Sequence, residues 1–321
     1  MTTGAQAVVD AGGAELTRIM DRVERRMGEL AAGHGPVLAR HAGHTISAGG
    51  KRLRPMLVCL AAGAPPPETD GLVRAAVAVE LVHGATLVHD DVLDGSALRR
   101  GRPTIVATGG RAAATATGDL LFSRAFAELA GGGSVDSVRV LAQASRELAL
   151  GELTQREDAY RVDVSVARYL TRCRLKTAVL FRAACELGAL EADGDAKALG
   201  AFGERIGLAF QILDDVLDVS GPPERTGKPR GADLLDGTVT LPLILARKRD
   251  PSLTAVDWRG VRTAGAAAGV CDRVAATGAL DDARSRAQAL VAEAKLGLPA
   301  LTLRQREALQ LAADVMVERY A

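Results

Sequence analysis

Aromatic residues are scarce in this sequence, and charge of neither sign is in excess. Phe, Trp and Tyr make up 3% of the 321 residues, and 40 basic residues are balanced by 39 acidic ones, giving a formal net charge of +1. Single-stranded nucleic-acid sites need aromatic stacking platforms, and nucleic-acid-binding domains in general carry a basic excess. The composition therefore predicts a protein that does not bind nucleic acid.

Cysteines and long apolar runs are also few. The four cysteines, Cys59, Cys173, Cys185 and Cys271, are widely separated and lack the paired spacing of a metal site, so we interpret them as reduced thiols of a core. The first residues lack a basic segment followed by an apolar one, and no run of about 18 apolar residues is present. We therefore expect a cytoplasmic protein that does not span a membrane.

Strand-like alternation is thin, whereas Ala, Leu, Glu and Arg recur at spacings of three and four residues. This periodicity predicts an all-α protein. Examples of the predicted helices are residues 14–32, 72–93, 136–156, 166–190, 196–219 and 280–296. The Gly- and Pro-rich breaks between helices are short, so we predict a single domain over residues 1–321, with two helical subdomains as the alternative.

The pentapeptide Asp-Asp-Val-Leu-Asp occurs twice, at residues 90–94 and 214–218. On a helix, residues i and i+4 share a face, so Asp90 projects with Asp94 and Asp214 with Asp218. Each copy closes an apolar run that we expect to be buried, where carboxylates repel one another unless cations neutralise them. Oxygen ligands of this kind suit Mg²⁺, which keeps water and substrate phosphate. A solvated helix end is the alternative for a lone copy, but two copies favour a magnesium diphosphate site.

Basic segments accompany the aspartate motifs. In Gly49-Gly-Lys-Arg-Leu-Arg-Pro55, Lys51 and Arg54 are spaced to converge on one anion. The segments Leu98-Arg-Arg-Gly-Arg-Pro103 and Arg174-Leu-Lys-Thr177 follow, and Lys228 lies in a Gly/Pro loop after the second motif. A solvated surface is the alternative for each segment alone, yet their association with the aspartates favours diphosphate binding. For the two histidines before the first motif, His83 and His89, a core role is the default.

Taken in order, these motifs resemble those of the trans-isoprenyl diphosphate synthases, the polyprenyl synthetase family. The match runs from about Gly49 to Pro242 and includes GGKRLRP, HDDVLD, RRGRPT, LKTAVLF, FQILDDVLD and GKPRGADL. The resemblance implies a magnesium-dependent prenyltransferase of isoprenoid biosynthesis that condenses isopentenyl diphosphate head to tail with an allylic diphosphate. It also implies a single large helical bundle around a central cavity, usually a homodimer, in which the two aspartate-rich helices face each other.

The resemblance also implies roles for individual residues. The implied magnesium ligands are Asp90, Asp94 and Asp214, with Asp218 assisting. The implied isopentenyl diphosphate site consists of Lys51, Arg54, His83 and Arg100. The implied allylic diphosphate side consists of Arg99, Lys176, Thr177, Gln211 and Lys228. Asp90, Asp94, Asp214 and Lys176 are the predicted catalytic residues, and the released diphosphate is implied as the base.

One position departs from the family pattern. Thr238 stands where many relatives have a lysine for the allylic diphosphate, so that cation is missing or is supplied elsewhere, with Arg230 as the candidate.

Product length is a separate question. In the family, bulky residues four, five or eight positions before the first motif form the floor of the product tunnel. Here these are Thr86, Ala85 and Val82, all small or medium, which predicts a product longer than farnesyl and a shorter product for Ala85→Phe.

Two other functions stay open from the sequence. A terpene cyclase on the same scaffold needs no isopentenyl site, so the set Lys51, Arg54 and Arg100 speaks against it, as does the shortage of aromatics that steady cyclic carbocations. A non-catalytic partner subunit of a prenyl synthase typically lacks one aspartate motif, whereas this chain has both.

Overall fold

The computed structural model describes residues 3–33, 52–99, 101–222 and 229–318, and these residues are mostly helical. The α-helices in chain order are α1 Thr3–Gly12, α2 Ala14–Ala32, α3 Leu53–Ala62, α4 Asp70–Asp94, α5 Ile105–Ala130, α6 Val135–Asp158, α7 Val166–Cys173, α8 Val179–Leu190, α9 Ala196–Ser220, α10 Ala232–Leu235, α11 Leu241–Arg249, α12 Ala264–Ala276, α13 Ala279–Leu296 and α14 Leu303–Glu318. The predicted all-α class is confirmed.

Three shorter kinds of element complete the described chain. A two-stranded antiparallel hairpin pairs β1 (Leu98–Arg99) with β2 (Arg102–Pro103). A π-helical turn, Arg174–Ala178, separates α7 from α8. Two short 3₁₀ turns, Pro251–Ala255 and Trp258–Gly260, follow α11.

Contacts divide the chain into two compact units. Unit one comprises Met1–Ser145, Leu180–Gly203 and Gly297–Val315, and unit two comprises Arg146–Val179, Glu204–Leu296 and Met316–Ala321. Each unit contains one of the two aspartate motifs. The single domain over residues 1–321 stays a prediction, as does the alternative of two helical subdomains.

Helix α4 forms the core of unit one. Its residues from Leu72 to Val82 are buried except for Arg74, because α4 packs against α2, α3 and α5 and a helix that is apolar on every side needs neighbours on every side. Thr69 caps its N-terminus by accepting a hydrogen bond from Leu72 N at 3.1 Å. Gly95 ends it in the left-handed conformation, with φ of 62°, a conformation that glycine adopts at little steric cost. The first aspartate motif therefore occupies the last turns of a buried helix.

Helix α4 is also long and apolar enough, by length and composition, to be a candidate membrane span. However, 67% of its most apolar window is buried inside the fold, and the helix contains Glu80, two histidines and three aspartates near its end. These properties are typical of the core helix of a soluble protein, since charged side chains are rare in lipid.

Unit two is built around α11. This helix begins with Pro242 in its first turn, where the missing N–H of proline has no cost, and it packs against α7, α12 and α13. The buried Arg172 of α7 donates to the carbonyl of Val239 at 2.5 Å and pairs with the buried Asp158 at 3.3 Å. A buried charge of this kind persists only when it is paired and hydrogen-bonded.

Most predicted helix limits agree with the structure to within two residues. The predicted helix 166–190 also has both limits in agreement, but a π-helical turn at Arg174–Ala178 divides it into α7 and α8. Helix α5 was not among the named predictions, and it carries a break at Gly110, whose φ is 79°.

Candidate active site

The first aspartate motif lies at the C-terminal end of α4. Asp90 is half-buried, Asp94 is exposed, and Asp91 is only 6% exposed. The Nε and Nη2 atoms of Arg99, in β1, each lie 2.8 Å from Asp91 Oδ1. The middle aspartate thus ties the hairpin to the helix end, while Asp90 and Asp94 are left on the more open faces.

The second motif lies at the C-terminal end of α9, in unit two. Asp214 is half-buried, whereas Asp215 and Asp218 are each 3% exposed. Asp218 Oδ2 accepts a hydrogen bond from Asp233 N at 3.2 Å, and its backbone carbonyl accepts one from Gly231 N at 2.9 Å. Asp218 therefore holds the start of α10 in addition to any role as a ligand.

The electrostatics of both helix ends favour a bound cation. The C-terminus of a helix carries partial negative charge, which basic side chains in the last turn usually compensate. Neither α4 nor α9 has a basic residue in its own last turn, and the aspartate motifs lie within the last seven residues of the two helices. Arg111 and Arg230 reach the carbonyls of Val92 and Val219 from other parts of the chain. Hard carboxylate oxygens suit a divalent cation such as Mg²⁺, so the donor set fits. Among the described residues, no group of three or more acidic, His or Cys side chains is arranged to hold a metal by itself.

Arg54, predicted for the isopentenyl site, lies at the start of α3. Its guanidinium carbon is 4.5 Å from the centre of the Phe181 ring, a cation–π contact that fixes the position of the charge. Arg52, two residues earlier in the same motif, has a left-handed backbone with φ of 48°. Arg52 pairs with Glu24 and, at 2.8 Å, with the buried Glu80 of α4. These ion pairs hold the start of α3 against α2 and α4.

The histidines of α4 occupy two different environments. His83 is half-buried and lies on the side of α4 that also carries Thr86 and Asp90, three and seven residues further on. His89 stacks on Phe122 of α5 with ring centres 5.8 Å apart, and its Nε2 lies 3.3 Å from Asp119. The contacts of His89 are those of a helix-packing residue, in agreement with the default interpretation.

Lys176, predicted as catalytic, lies in the π-helical turn. Its ammonium pairs with Glu152 of α6, which also accepts from Arg156 at 2.7 Å. Burial acts to raise the pKa of Glu152, but the charges and hydrogen bonds of Lys176 and Arg156 outweigh burial and leave the pKa below its usual range. Gly151 permits this approach, because a Cβ there would lie 2.5 Å from the backbone nitrogen of Lys176.

Thr177 and Gln211 are joined to the middle aspartate of the second motif. Thr177 Oγ1 donates to Gln211 Oε1 at 2.7 Å, and Gln211 Nε2 donates to Asp215 Oδ1 at 2.7 Å. The other carboxylate oxygen, Asp215 Oδ2, accepts from the Tyr169 hydroxyl at 2.6 Å. Burial raises the pKa of Asp215 well above its ordinary value, and the nearby charges of Asp233 and Asp214 raise that pKa further.

The region around Thr238 shows how Arg230 is held. Arg230 Nε donates to the carbonyl of Val219 near the end of α9, and Nη1 pairs with Asp272 at 2.6 Å. Thr238 N donates to Asp233 O at 2.8 Å within the turn after α10. A role for Arg230 toward a diphosphate stays a prediction and would compete with these two partners.

Three predicted site residues, Lys51, Arg100 and Lys228, lie outside the described residues. Of the others, the structure brings together Thr177, Gln211 and the second motif in unit two, and Arg54 and the first motif are both in unit one. Their roles in binding stay predictions.

Sequence reasoning missed Asp91, Asp215, Tyr169 and Glu152. The two middle aspartates had a signal: they turn about 100° from the first aspartate of each motif, which places them on another side of the helix. Tyr169 and Glu152 had no local signal, because their partners lie 46 and 24 residues away in the chain.

The chain matches known proteins over most of its length. The sequence model of the family described as polyprenyl synthetase matches residues 35–262. The heptaprenyl diphosphate synthase component 2 of Geobacillus stearothermophilus is 44% identical over 235 residues, 72% of each protein. The geranylgeranyl diphosphate synthase of Methanosarcina mazei is 36% identical over 286 residues, 86% of this chain and 88% of that protein.

A solved structure extends the likeness to the whole chain. The polyprenyl synthase from Caulobacter crescentus, crystallised with calcium and isoprenyl diphosphate, has a TM-score of 0.89 at 36% identity and covers 99% of this chain and 98% of its own. Family model, relatives and structure agree with the ordered motifs of the sequence. This chain therefore belongs to the polyprenyl synthetase family and is an all-α prenyltransferase.

Proposed function

We propose that this chain is a polyprenyl diphosphate synthase that condenses isopentenyl diphosphate with an allylic diphosphate to give an all-trans product longer than farnesyl. The observation that carries this proposal is the pair of identical aspartate motifs, each near the C-terminal end of a helix, with the first aspartate half-buried and the middle aspartate turned into the protein. The names of the relatives, heptaprenyl and geranylgeranyl diphosphate synthases, support a product of at least twenty carbons.

Asp90, Asp94 and Asp214 would hold Mg²⁺, with Asp218 assisting. When bound, the cations neutralise the diphosphate and assist its departure. Because the described residues contain no complete metal cage, substrate phosphate oxygens and water would have to complete the coordination, as is usual for Mg²⁺. That a related synthase was crystallised with calcium and isoprenyl diphosphate supports a divalent cation. That the two motifs face each other across the allylic diphosphate stays a prediction.

Basic residues would hold the two diphosphates. Arg54 and His83, with Lys51 and Arg100, would bind isopentenyl diphosphate, and Arg99, Lys176 and Lys228 would stabilise the departing diphosphate of the allylic substrate. In the reaction, the allylic C–O bond breaks and its electron pair leaves with the diphosphate. The isopentenyl double bond then attacks the allylic carbon, and a proton leaves the isopentenyl unit to the released diphosphate, restoring a double bond.

The proposed enzyme is cytoplasmic and acts as a homodimer. A second candidate is a catalytic subunit that needs a different partner chain, because the relative from Geobacillus stearothermophilus is named component 2 of its enzyme. Sedimentation of the purified chain, followed by an activity assay of the same fraction, separates the two. A dimer that is active alone supports the first, and a chain that is inactive until a partner protein is added supports the second.

The reaction is tested by incubating the purified protein with Mg²⁺, labelled isopentenyl diphosphate and, in turn, dimethylallyl, geranyl, farnesyl or geranylgeranyl diphosphate. Chromatography of the dephosphorylated products should give linear prenyl alcohols that contain the label, and their length identifies the product. Cyclic hydrocarbons without label would instead indicate a terpene cyclase. The absence of product with every starter would contradict the proposal for the chain alone.

A further inference from the structure

A continuous network of hydrogen bonds runs from a buried tyrosine, through the middle aspartate of the second motif, to a half-buried threonine. It links Tyr169 of α7 to Asp215 of α9 at 2.6 Å, Asp215 to Gln211 at 2.7 Å, and Gln211 to Thr177 of the π-helical turn at 2.7 Å. Tyr169 is 1% exposed and Asp215 3% exposed, whereas Gln211 and Thr177 are half-buried. The network therefore has an anchored end in the core and an open end beside the proposed site.

The placement of the amide atoms of Gln211 sets the direction of these hydrogen bonds. Gln211 Nε2 faces Asp215 Oδ1 and donates to it, and the Tyr169 hydroxyl donates to Asp215 Oδ2. The Gln211 carbonyl oxygen then faces Thr177, and the single hydroxyl proton of Thr177 is used in donating to it. What Thr177 can still offer to a ligand is an acceptor, namely the remaining lone pairs of Oγ1.

The π-helical turn brings Tyr169 and Thr177, the two ends of this hydrogen-bond network, toward the same side of the helix. Tyr169 and Thr177 are eight residues apart, and on a regular α-helix they would be turned about 80° from each other after two full turns. The turn Arg174–Ala178 has the wider i to i+5 hydrogen bonding, so each residue there rotates less about the axis. Thr177 thereby returns toward the face of Tyr169, and both residues reach α9, where Gln211 and Asp215 are spaced i and i+4 on one face.

Tyr169, the buried end of this network, is itself held in place by Arg172. The guanidinium carbon of Arg172 lies 5.6 Å from the centre of the Tyr169 ring, and Arg172 is fixed by Asp158 and by the carbonyl of Val239. The ring of Tyr169 therefore stays in place when only its hydroxyl is removed, which makes Tyr169→Phe an informative substitution.

We propose that Tyr169 is a positioning residue: through Asp215 and Gln211 it holds the Thr177 hydroxyl in the orientation that presents an acceptor beside the bound substrate. The group that Thr177 meets in the bound complex is then a donor or a cation, such as an ammonium or a metal-bound water, and not a bare phosphate oxygen. The effect on turnover rests on the proposed function, whereas the hydrogen-bond directions do not.

Steady-state kinetics test the effect on turnover. Tyr169→Phe is expected to lower kcat roughly tenfold, as for loss of one member of a buried network, and to change the KM of the allylic substrate while leaving the KM of isopentenyl diphosphate unchanged. The matched control is Tyr160→Phe, the same change at another tyrosine of unit two, whose backbone N–H bonds to Gly237 O and whose ring contacts Arg259. Equal changes of both KM values, or equal effects of the two substitutions, would mean that Tyr169 is merely structural.

A double-mutant cycle tests the route through Thr177. In a Thr177→Val background, which lacks the hydroxyl, adding Tyr169→Phe is expected to cost less than twofold in kcat, because members of one network are not additive. Full additivity of the two substitutions would overturn the proposal. If Tyr169→Phe does not fold, Thr177→Ser and Thr177→Val test the same hydrogen-bond network at Thr177. The serine variant should retain activity and the valine variant should lose about tenfold. Equal activities would contradict the proposal.

A measurement without substrate separates this inference from the proposed function. In protein labelled with ¹⁵N at glutamine, the side-chain amide protons of Gln211 should exchange slowly with water, and Tyr169→Phe should speed that exchange at least about tenfold, while Tyr160→Phe leaves it unchanged. An unchanged rate in Tyr169→Phe would sink the positioning role. If wild-type protein makes no prenyl diphosphate, the proposed function fails, yet this exchange rate still decides whether Tyr169 orders Gln211.

Discussion

At the scale of single residues, the first and middle aspartates of the two motifs differ in burial in the same way. The middle aspartate is buried and hydrogen-bonded in each, Asp91 to Arg99 and Asp215 to Tyr169 and Gln211. The first aspartate, Asp90 or Asp214, is half-buried. Since a buried carboxylate that is already hydrogen-bonded has less capacity for a further ligand, we expect the metal to depend on the first aspartate of each motif.

Asp90→Ala and Asp214→Ala should each lower turnover by at least about a hundredfold, because each removes a proposed metal ligand. The fold should be retained, since loss of one carboxylate relieves repulsion within the cluster. Initial rates with saturating Mg²⁺ and circular dichroism melts provide the measurement. Asp70→Ala serves as the control, because Asp70 lies at the other end of α4 with a side chain that is 85% exposed; wild-type activity in Asp90→Ala would defeat the assignment.

Substitutions before the first motif should change product length. Thr86 is half-buried on the side of α4 that carries Asp90, whereas Ala85 is fully buried in the core. We expect Thr86→Phe to shorten the product with little loss of stability. Ala85→Phe should also shorten it, but with a free energy of unfolding about 1–3 kcal/mol lower, as overpacked cores show. Chromatography of the prenyl alcohols and thermal melts distinguish the two, and an unchanged product in both variants would place the tunnel floor on other helices.

At the scale of elements, the π-helical turn and its contact with α6 organise unit two. The backbone of Gly151 approaches the turn closely, and the neighbouring Glu152 pairs with Lys176. A wider turn is uncommon inside a helix and frequent at functional sites. Here it presents Lys176 to Glu152 and Thr177 to Gln211, so the contact between α6 and the turn positions two predicted site residues at once.

Gly151→Ala should therefore impair both stability and activity. The added Cβ would lie 2.5 Å from Lys176 N and 2.8 Å from its Cα, so the turn must shift, and we expect a loss of about 1–3 kcal/mol in the free energy of unfolding together with a lower kcat. Gly28→Ala in α2 is the matched control. Apart from the adjoining backbone of its own helix and its two chain neighbours, no heavy atom of the described residues lies within 4 Å of the position that its Cβ would take. Alanine there should stabilise the helix by about 0.5–1 kcal/mol. Urea unfolding and initial rates check both, and equal stability of the two variants would contradict the close approach.

At the scale of the whole molecule, each compact unit contains one aspartate motif and predicted basic site residues. Arg54 and Arg99 belong to unit one, and Lys176 belongs to unit two. Because the proposed function uses both motifs, turnover should need each of them, and a ligand that binds the folded protein with the metal should stabilise it.

Mg²⁺ and inorganic diphosphate together should raise the thermal midpoint more than the sum of their separate effects. At a ligand concentration of about 100 times the dissociation constant, linkage gives about 2.7 kcal/mol of stabilisation. Chelation with EDTA should abolish both the shift and turnover, and Asp90→Ala should lack the shift. Differential scanning calorimetry checks this, and the same shift from diphosphate without metal would show that the basic residues alone bind the anion.

The sequence by itself determined the all-α class, most helix limits, the two aspartate motifs and the family. It could do so because helical periodicity and motif spacing are local properties of the chain. The first aspartates, Lys176, Thr177 and Gln211 were likewise named from motifs, without any knowledge of their partners.

Only the tertiary structure decided which aspartate is buried and what each polar group faces. Helical geometry separates Asp214 from Asp215 by about 100°, but it is Tyr169, on another helix, that makes the side of Asp215 the interior. In the same way, no local propensity signals the π-helical turn or the contact of Gly151 with it. Burial and hydrogen-bond direction depend on residues that are distant in the chain, so they appear only when the helices are packed.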